Sequence, residues 1–142
     1  MDTVKLLKAL DDNTNEVLLN YTNKKIKETN HNILKELHLS KNDTLELLSK
    51  LDGYRYVDEM SDLKYGTYLR WIPMNESSTR IHLTRGAIFC EMKINDNGVV
   101  IICKNHGFHS RHFQIKLDDN IIFQKLTDQE KVLLSALDHL AK

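Results

Sequence analysis

Four residues that could act as metal ligands or nucleophiles recur every three positions in one short segment. They are Cys103, His106, His109 and His112. Thiolate and imidazole are the ligand types that zinc prefers, and a thiol beside an imidazole is a pair used in nucleophilic catalysis. Because Lys104 and Arg111 lie in the same segment, it can instead form a basic loop that binds phosphate.

The spacing disfavours the zinc and catalytic interpretations. A tight turn at Asn97-Gly98 is predicted to place Cys90 and Cys103 on the inward face of two strands, where burial makes a thiol inert. Ligands three residues apart alternate between the faces of a strand, and structural zinc sites usually combine two separate knuckles. The chain also lacks the serine-elbow, His-Glu-x-x-His, Walker and dinucleotide motifs. We therefore expect no enzyme, no catalytic residues, no metal and no cofactor.

The charge distribution favours the basic loop. Acidic and basic residues balance at twenty each over the whole chain. From Ser61 to Lys116, however, eight basic residues face four acidic ones, a surplus of four positive charges, and no acidic residue lies between Asn97 and Leu117. A locally positive surface on a neutral protein attracts anions without the general adhesiveness of a basic protein.

Aromatic residues interleaved with arginine on the predicted strands add a possible stacking surface, since single-stranded nucleic acid is bound by stacking combined with charge. The predicted nucleic-acid-binding residues are Tyr68, Arg70, Trp71, Arg85, Lys104, His106, His109, Arg111, His112 and Lys116. The alternative use of Trp71 and the tyrosines is to pack a small core. The sequence thus predicts a binding module for nucleic acid or another polyanion.

Helices are predicted before residue 53. Leu19, Ile26 and Ile33 repeat every seven residues and indicate one helix over about 14–39. The spacing of Asp43 and Glu46 is that of a capping box and predicts a second, short helix. The seven-residue stripe supports an alternative function, a protein–protein adaptor or virion-associated interaction protein that self-associates through these helices, for example as a homodimer.

From Tyr54 onward the hydrophobic period changes to two, which is typical of strands. The predicted strands are Tyr54–Val57, 66–72, 80–85, 87–94, a strand after Asn97-Gly98, 111–117 and Asn120–Lys125. A type I′ turn at Asn97-Gly98 sets Ile94 opposite Ile101 and Met92 opposite Cys103.

A last helix is predicted from a second capping box, Thr127 to Glu130, with Leu133, Leu137 and Leu140 buried. The fold class is therefore α+β. We expect a small SH3-like antiparallel β-barrel or strongly bent sheet (54–125) with N-terminal helices (1–52) and one C-terminal helix (127–142), because closure removes exposed strand edges. At 142 residues, one domain over 1–142 is expected.

The segments Asp52-Gly-Tyr-Arg-Tyr-Val57, Gly66-Thr-Tyr-Leu-Arg-Trp-Ile72 and the run from Ile121 to Glu130 resemble uncharacterised small proteins of large double-stranded DNA viruses. The resemblance implies a role in the host cytoplasm or in the virion, and it transfers no functional residue. Two cysteines make no disulfide framework, and no apolar run is long enough for a membrane span or a signal peptide. We therefore expect an intracellular protein that does not bind membranes.

Overall fold

The computed structural model describes residues 3–11, 21–75, 80–105 and 111–140. Its helices are α1 (Thr3–Asp11), α2 (Asn23–Lys35), α3 (Lys41–Lys50) and α4 (Asp128–Leu140). Its strands are β1 (Tyr54–Val57), β2 (Tyr68–Pro73), β3 (Ala87–Asn95), β4 (Gly98–Lys104), β5 (His112–Lys116) and β6 (Asn120–Lys125). The class is α+β, as predicted.

The chain divides into two compact units. Unit 1 combines Met1–Arg55 with Leu126–Lys142, and unit 2 is Tyr56–Lys125. None of the helices in the described part of the chain has the length and hydropathy that crossing a bilayer requires.

The N-terminal helices of unit 1 start elsewhere than predicted. α2 begins at Asn23 because the Thr22 hydroxyl caps it by accepting a hydrogen bond from the Lys25 N–H. A single helix over 14–39 is therefore wrong, and residues 14–20 lie outside the described part of the chain. The hydroxyl of Ser40 accepts from the Asp43 N–H, so α3 starts earlier than the predicted capping box. Helix α1 was not predicted.

Helix α4 begins as its sequence indicates. The Thr127 hydroxyl accepts from the Glu130 N–H, and the Glu130 carboxylate accepts from the Thr127 N–H at 2.9 Å, which completes the capping box. Leu133 is buried and Leu137 packs against the same core, but Leu140 is exposed, so its predicted burial is wrong.

The core of unit 1 joins α1, α2 and α4. It consists of Ala9, Ile26, Leu126, Leu133 and Leu134. Ile26 is thus used inside this unit, Ile33 is half-buried and Leu19 lies outside the described residues. Ile26, one of the three residues predicted to mediate self-association, is therefore buried and cannot contact a second copy.

Unit 1 also buries an ion pair. The Arg55 Nε donates to the Glu130 carboxylate at 3.2 Å, and neither side chain is more than 7% exposed. Burial of both charges is tolerated because each satisfies the other. The guanidinium of Arg55 is therefore enclosed and does not contribute to an exposed basic surface.

The strands form one six-stranded antiparallel sheet in the order β1-β6-β2-β3-β4-β5, and the sheet is not closed. Every predicted strand has a counterpart except 80–85. There, the Thr84 N–H donates to the Trp71 carbonyl, but the Trp71 N–H donates to the Thr84 hydroxyl instead of to a backbone oxygen. The Thr84 side chain therefore accepts the hydrogen bond that a backbone carbonyl would accept in a sheet, and residues 80–85 do not form a strand.

The β3–β4 hairpin has a different register from the predicted one. Asn95 pairs with Gly98 and Ile94 with Val99, so Asp96 and Asn97 form the turn. A type I′ turn needs positive φ at both central residues, whereas here only Gly98 has positive φ, at 109°. The prediction that Asn97-Gly98 forms a type I′ turn is therefore wrong, although β3 and β4 do pair.

A β-bulge at Cys90 changes the face of the β3 side chains that precede it. The register shifts between Phe89 and Glu91, so Phe89 pairs with Cys103 and faces the core, whereas Met92 pairs with Ile101 on the predicted face. Cys103 is buried as predicted, whereas Cys90 is exposed, which contradicts the prediction for the second thiol. Ile94 shares the face of Met92, as predicted, but is 68% exposed.

The core of unit 2 lies on one face of this sheet. Its buried members are Val57, Leu69, Trp71, Ala87, Phe89, Ile101, Cys103 and Ile122. The opposite face of β3, β4 and β5 is the one that carries exposed charged side chains.

Candidate functional site

The exposed face of β3, β4 and β5, which we call the basic face, can be built from the strand register. Residues directly opposite each other in an antiparallel pair project to the same face. The basic face consists of three cross-strand rows: Ile88, Lys104 and His112; Glu91, Ile102 and Gln114; Lys93, Val100 and Lys116.

Positive charge dominates the basic face. Lys93, Lys104, His112 and Lys116 are all exposed, and Glu91 is the acidic residue of the three rows. None of these lysines forms an ion pair with another residue in the described ranges. Since strands lie about 4.8 Å apart, Lys93 and Lys116 stand about 10 Å apart across Val100, with Lys104 and His112 further along the strands.

Two hydrogen bonds fix Arg111 opposite Asn105. The Asn105 N–H donates to the Arg111 carbonyl at 3.1 Å, and the Arg111 N–H donates to the Asn105 side-chain oxygen at 2.6 Å. Because Arg111 directly precedes His112 in the chain, its exposed side chain projects to the face opposite the basic face. His106 and His109, both predicted to bind nucleic acid, lie outside the described residues.

The two aromatic residues of the predicted site project to opposite faces of the sheet. Tyr68 pairs with Ile88 and shares its face, whereas Trp71 faces the core. Trp71 is 8% exposed and packs in the core of unit 2, so its ring offers no open side for a base. Trp71 is therefore not part of the candidate site.

The remaining predicted residues lie on or beside β2. Tyr68 is half-buried and donates its hydroxyl proton to the Arg85 carbonyl at 2.7 Å. Arg70 donates from Nε to the Thr84 carbonyl at 2.9 Å. These two side chains hold the 80–86 segment against β2, while the side chain of Arg85 is exposed.

The register also separates two of the four candidate zinc ligands. Cys103 pairs with Phe113 and faces the core, whereas His112 pairs with Lys104 and projects to the basic face. Burial raises the pKa of the Cys103 thiol to about 12, with a smaller contribution from the nearby Cys90. Cys103 and His112 therefore cannot bind one ion together, and no cluster of three metal-ligating side chains exists among the described residues.

Lys93 is the residue of the basic face that sequence reasoning missed. Lys93 lies within the positively charged span 61–116, but it was not among the predicted nucleic-acid-binding residues. The alternation of side chains along β3 could have identified Lys93. It lies two residues before Asn95, next to the β3–β4 turn, and therefore projects to the same face as Asn95.

Comparison with known proteins adds no assignment: no family model, curated protein or solved structure matches this chain. The resemblance to proteins of large double-stranded DNA viruses therefore stays a prediction.

Proposed function

We propose that this protein is a non-enzymatic module that binds nucleic acid or another polyanion through the basic face. The observation that carries the proposal is the clustering of Lys93, Lys104, His112 and Lys116 on one exposed sheet surface with a single acidic residue. Unpaired cations at this spacing attract phosphate groups and release their condensed counterions when they bind.

The composition of this face favours recognition of the phosphate backbone. Its uncharged positions in the three rows are Ile88, Val100, Gln114 and the buried Ile102, and none is aromatic. Tyr68, which continues the row of Ile88 on β2, is half-buried. Base stacking needs an open aromatic ring, so these rows supply charge without stacking. We therefore expect little dependence on base sequence, and similar binding of duplex and single-stranded probes.

The short connection between β5 and β6 supports a curved sheet, as the predicted SH3-like barrel requires. Only Leu117–Asp119 connect β5 to β6, although β2, β3 and β4 lie between those strands in the sheet. In a flat sheet that separation is about 19 Å, whereas the Asn120 side chain donates to the Lys116 carbonyl at 2.8 Å. We propose that the sheet bends toward a small SH3-like barrel and turns the basic face outward.

Binding of labelled oligonucleotides at two salt concentrations tests this function. Three cations, Lys93, Lys104 and Lys116, predict a slope of log K against log salt of about −2.7 at about 0.9 per contact, or about 40-fold weaker binding when salt rises fourfold. Fluorescence anisotropy with single-stranded and duplex probes measures both affinities. If neither the single-stranded nor the duplex probe bound at low salt, the proposal would be contradicted.

A second candidate function, self-association through the N-terminal helices, has one specific observation in its favour. Val4, Leu7 and Leu10 of α1 are between 50% and 61% exposed and lie three residues apart. Such a stripe suits pairing with a second copy or with a partner helix, as expected of an adaptor or virion-associated protein. Light scattering of the wild type and of Leu7→Glu tests this: the variant should be monomeric if α1 forms the contact.

A further inference from the structure

No strand of the described residues pairs with the outer edge of β5, although its Lys116 carbonyl accepts a hydrogen bond from the Asn120 side chain. β5 is terminal in the strand order, and four of its five residues, His112, Phe113, Gln114 and Lys116, are exposed. At the opposite end of the sheet, β1 alternates half-buried and buried residues. Exposed edges are where added strands pair, because their backbone N–H and C=O groups have no ladder partner.

The direction of those backbone groups follows from the loop closure. The Asn105 N–H donates to the Arg111 carbonyl, so residues 105 and 111 form a hydrogen-bonded pair. Such pairs alternate with non-hydrogen-bonded pairs along an antiparallel ladder. Phe113 and Ile115 therefore bond to β4, while His112, Gln114 and Lys116 direct their N–H and C=O groups away from it. The hydrogen bond from the Asn120 side chain to the Lys116 carbonyl agrees with this direction.

The two faces beside this edge differ in chemistry. His112 and Lys116 project to the basic face. Phe113, 38% exposed, and half-buried Ile115 project to the other face, beside the core. A strand added to this edge thus has cations next to one set of its side chains and apolar atoms next to the alternate set.

A second copy of β5 supplies no acidic side chain to this edge. Antiparallel pairing centred on Gln114 sets His112 of one copy opposite Lys116 of the other, so neither Lys116 meets a carboxylate. The charge of the edge instead favours an acidic partner.

We propose that the edge of β5 accepts an extended peptide of alternating acidic and apolar residues as an additional antiparallel strand. The acidic side chains lie on the basic face beside His112 and Lys116, and the apolar ones lie beside Phe113 and Ile115. A peptide residue directly opposite Gln114 projects to the same face and exchanges backbone hydrogen bonds with it. The backbone N–H and C=O groups that bond to β5 therefore belong to the acidic residues of the peptide.

Backbone methylation of a probe peptide tests this without altering the protein. The probe is a labelled peptide of alternating glutamate and valine, compared with versions N-methylated at its glutamates or at its valines. We expect binding of the unmodified peptide by fluorescence anisotropy, at least tenfold weaker binding after glutamate methylation, and no change after valine methylation. No binding of the unmodified peptide, equal binding of all three, or loss on valine methylation would overturn the proposal.

Two protein variants separate this inference from the proposed polyanion function. Phe113→Thr removes the exposed apolar side chain beside the apolar residues of the peptide, and it should weaken peptide binding at least tenfold. Oligonucleotide binding should be retained, because Phe113 projects to the face opposite the basic face. Lys93→Gln should weaken oligonucleotide binding and leave peptide binding unchanged, because Lys93 lies two strands from the edge. Peptide binding that Phe113→Thr leaves intact, with the variant's circular dichroism unchanged, would overturn the proposal whatever the oligonucleotide result.

Discussion

Replacement of Gln124 by methionine should destabilise unit 2 strongly, because this buried amide organises the chain between β1 and β2. Gln124 is fully buried. Its oxygen accepts hydrogen bonds from the Lys64 N–H at 2.8 Å and the Thr67 hydroxyl at 2.9 Å, and its nitrogen donates to the Asp62 carbonyl at 3.1 Å. At about 1 kcal/mol net for each bond, the variant should lose about 3 kcal/mol of unfolding free energy.

Urea unfolding followed by the fluorescence of Trp71 measures this loss, since Trp71 is the single tryptophan and packs in the core of the same unit. Gln114→Met on exposed β5 is the matched control and should change the unfolding free energy by less than about 0.5 kcal/mol. If Gln124→Met were as stable as this control, the role assigned to the Gln124 amide would be wrong.

Three further predictions concern other parts of the fold. Gly86→Ala should fail to fold or unfold at far lower urea, since a Cβ there would clash with the Leu69 carbonyl oxygen and φ is +89°; a wild-type midpoint would contradict that clash. Native protein should react with a thiol reagent at Cys90 and not at Cys103, as mass mapping will show. Because burial raises the pKa of Cys103 from 9.0 to about 12, Cys103 stabilises the fold below pH 9 and loses this contribution as pH rises toward 12, so Cys103→Ala should flatten the alkaline fall in stability. Glu130→Ala should cost about 3–5 kcal/mol because it removes one partner of a buried ion pair, and a calorimetric loss below about 1 kcal/mol would refute that role.

Local chemistry was predictable from sequence where the partners lie close in the chain. The capping box of Thr127 and Glu130 spans three residues, and both of its hydrogen bonds form. The alternation of Tyr54–Val57 and Asn120–Lys125 gave strands with the predicted bounds. Signals of this kind need no knowledge of the rest of the fold.

Features that depend on distant partners were not predictable in this way. Arg55 is buried because Glu130, 75 positions away, neutralises it. The hairpin register failed because the turn forms at Asp96 and Asn97 without positive φ, which carries no strong sequence signal. The bulge at Cys90 carries none either, so alternation alone turned Cys90 inward. The basic face depends on that register, so its row of Lys93, Val100 and Lys116 became visible only in the structure.

The most direct test of the basic face compares two triple variants of equal charge. Lys93→Gln/Lys104→Gln/Lys116→Gln removes the three lysines of the face, and Lys24→Gln/Lys27→Gln/Lys41→Gln removes three exposed lysines of α2 and α3. We predict that the slope of log K against log salt for a duplex oligonucleotide falls by about 2.7 in the first variant and stays near the wild-type value in the second. Equal slopes and affinities in the two variants would contradict the assignment of binding to the basic face.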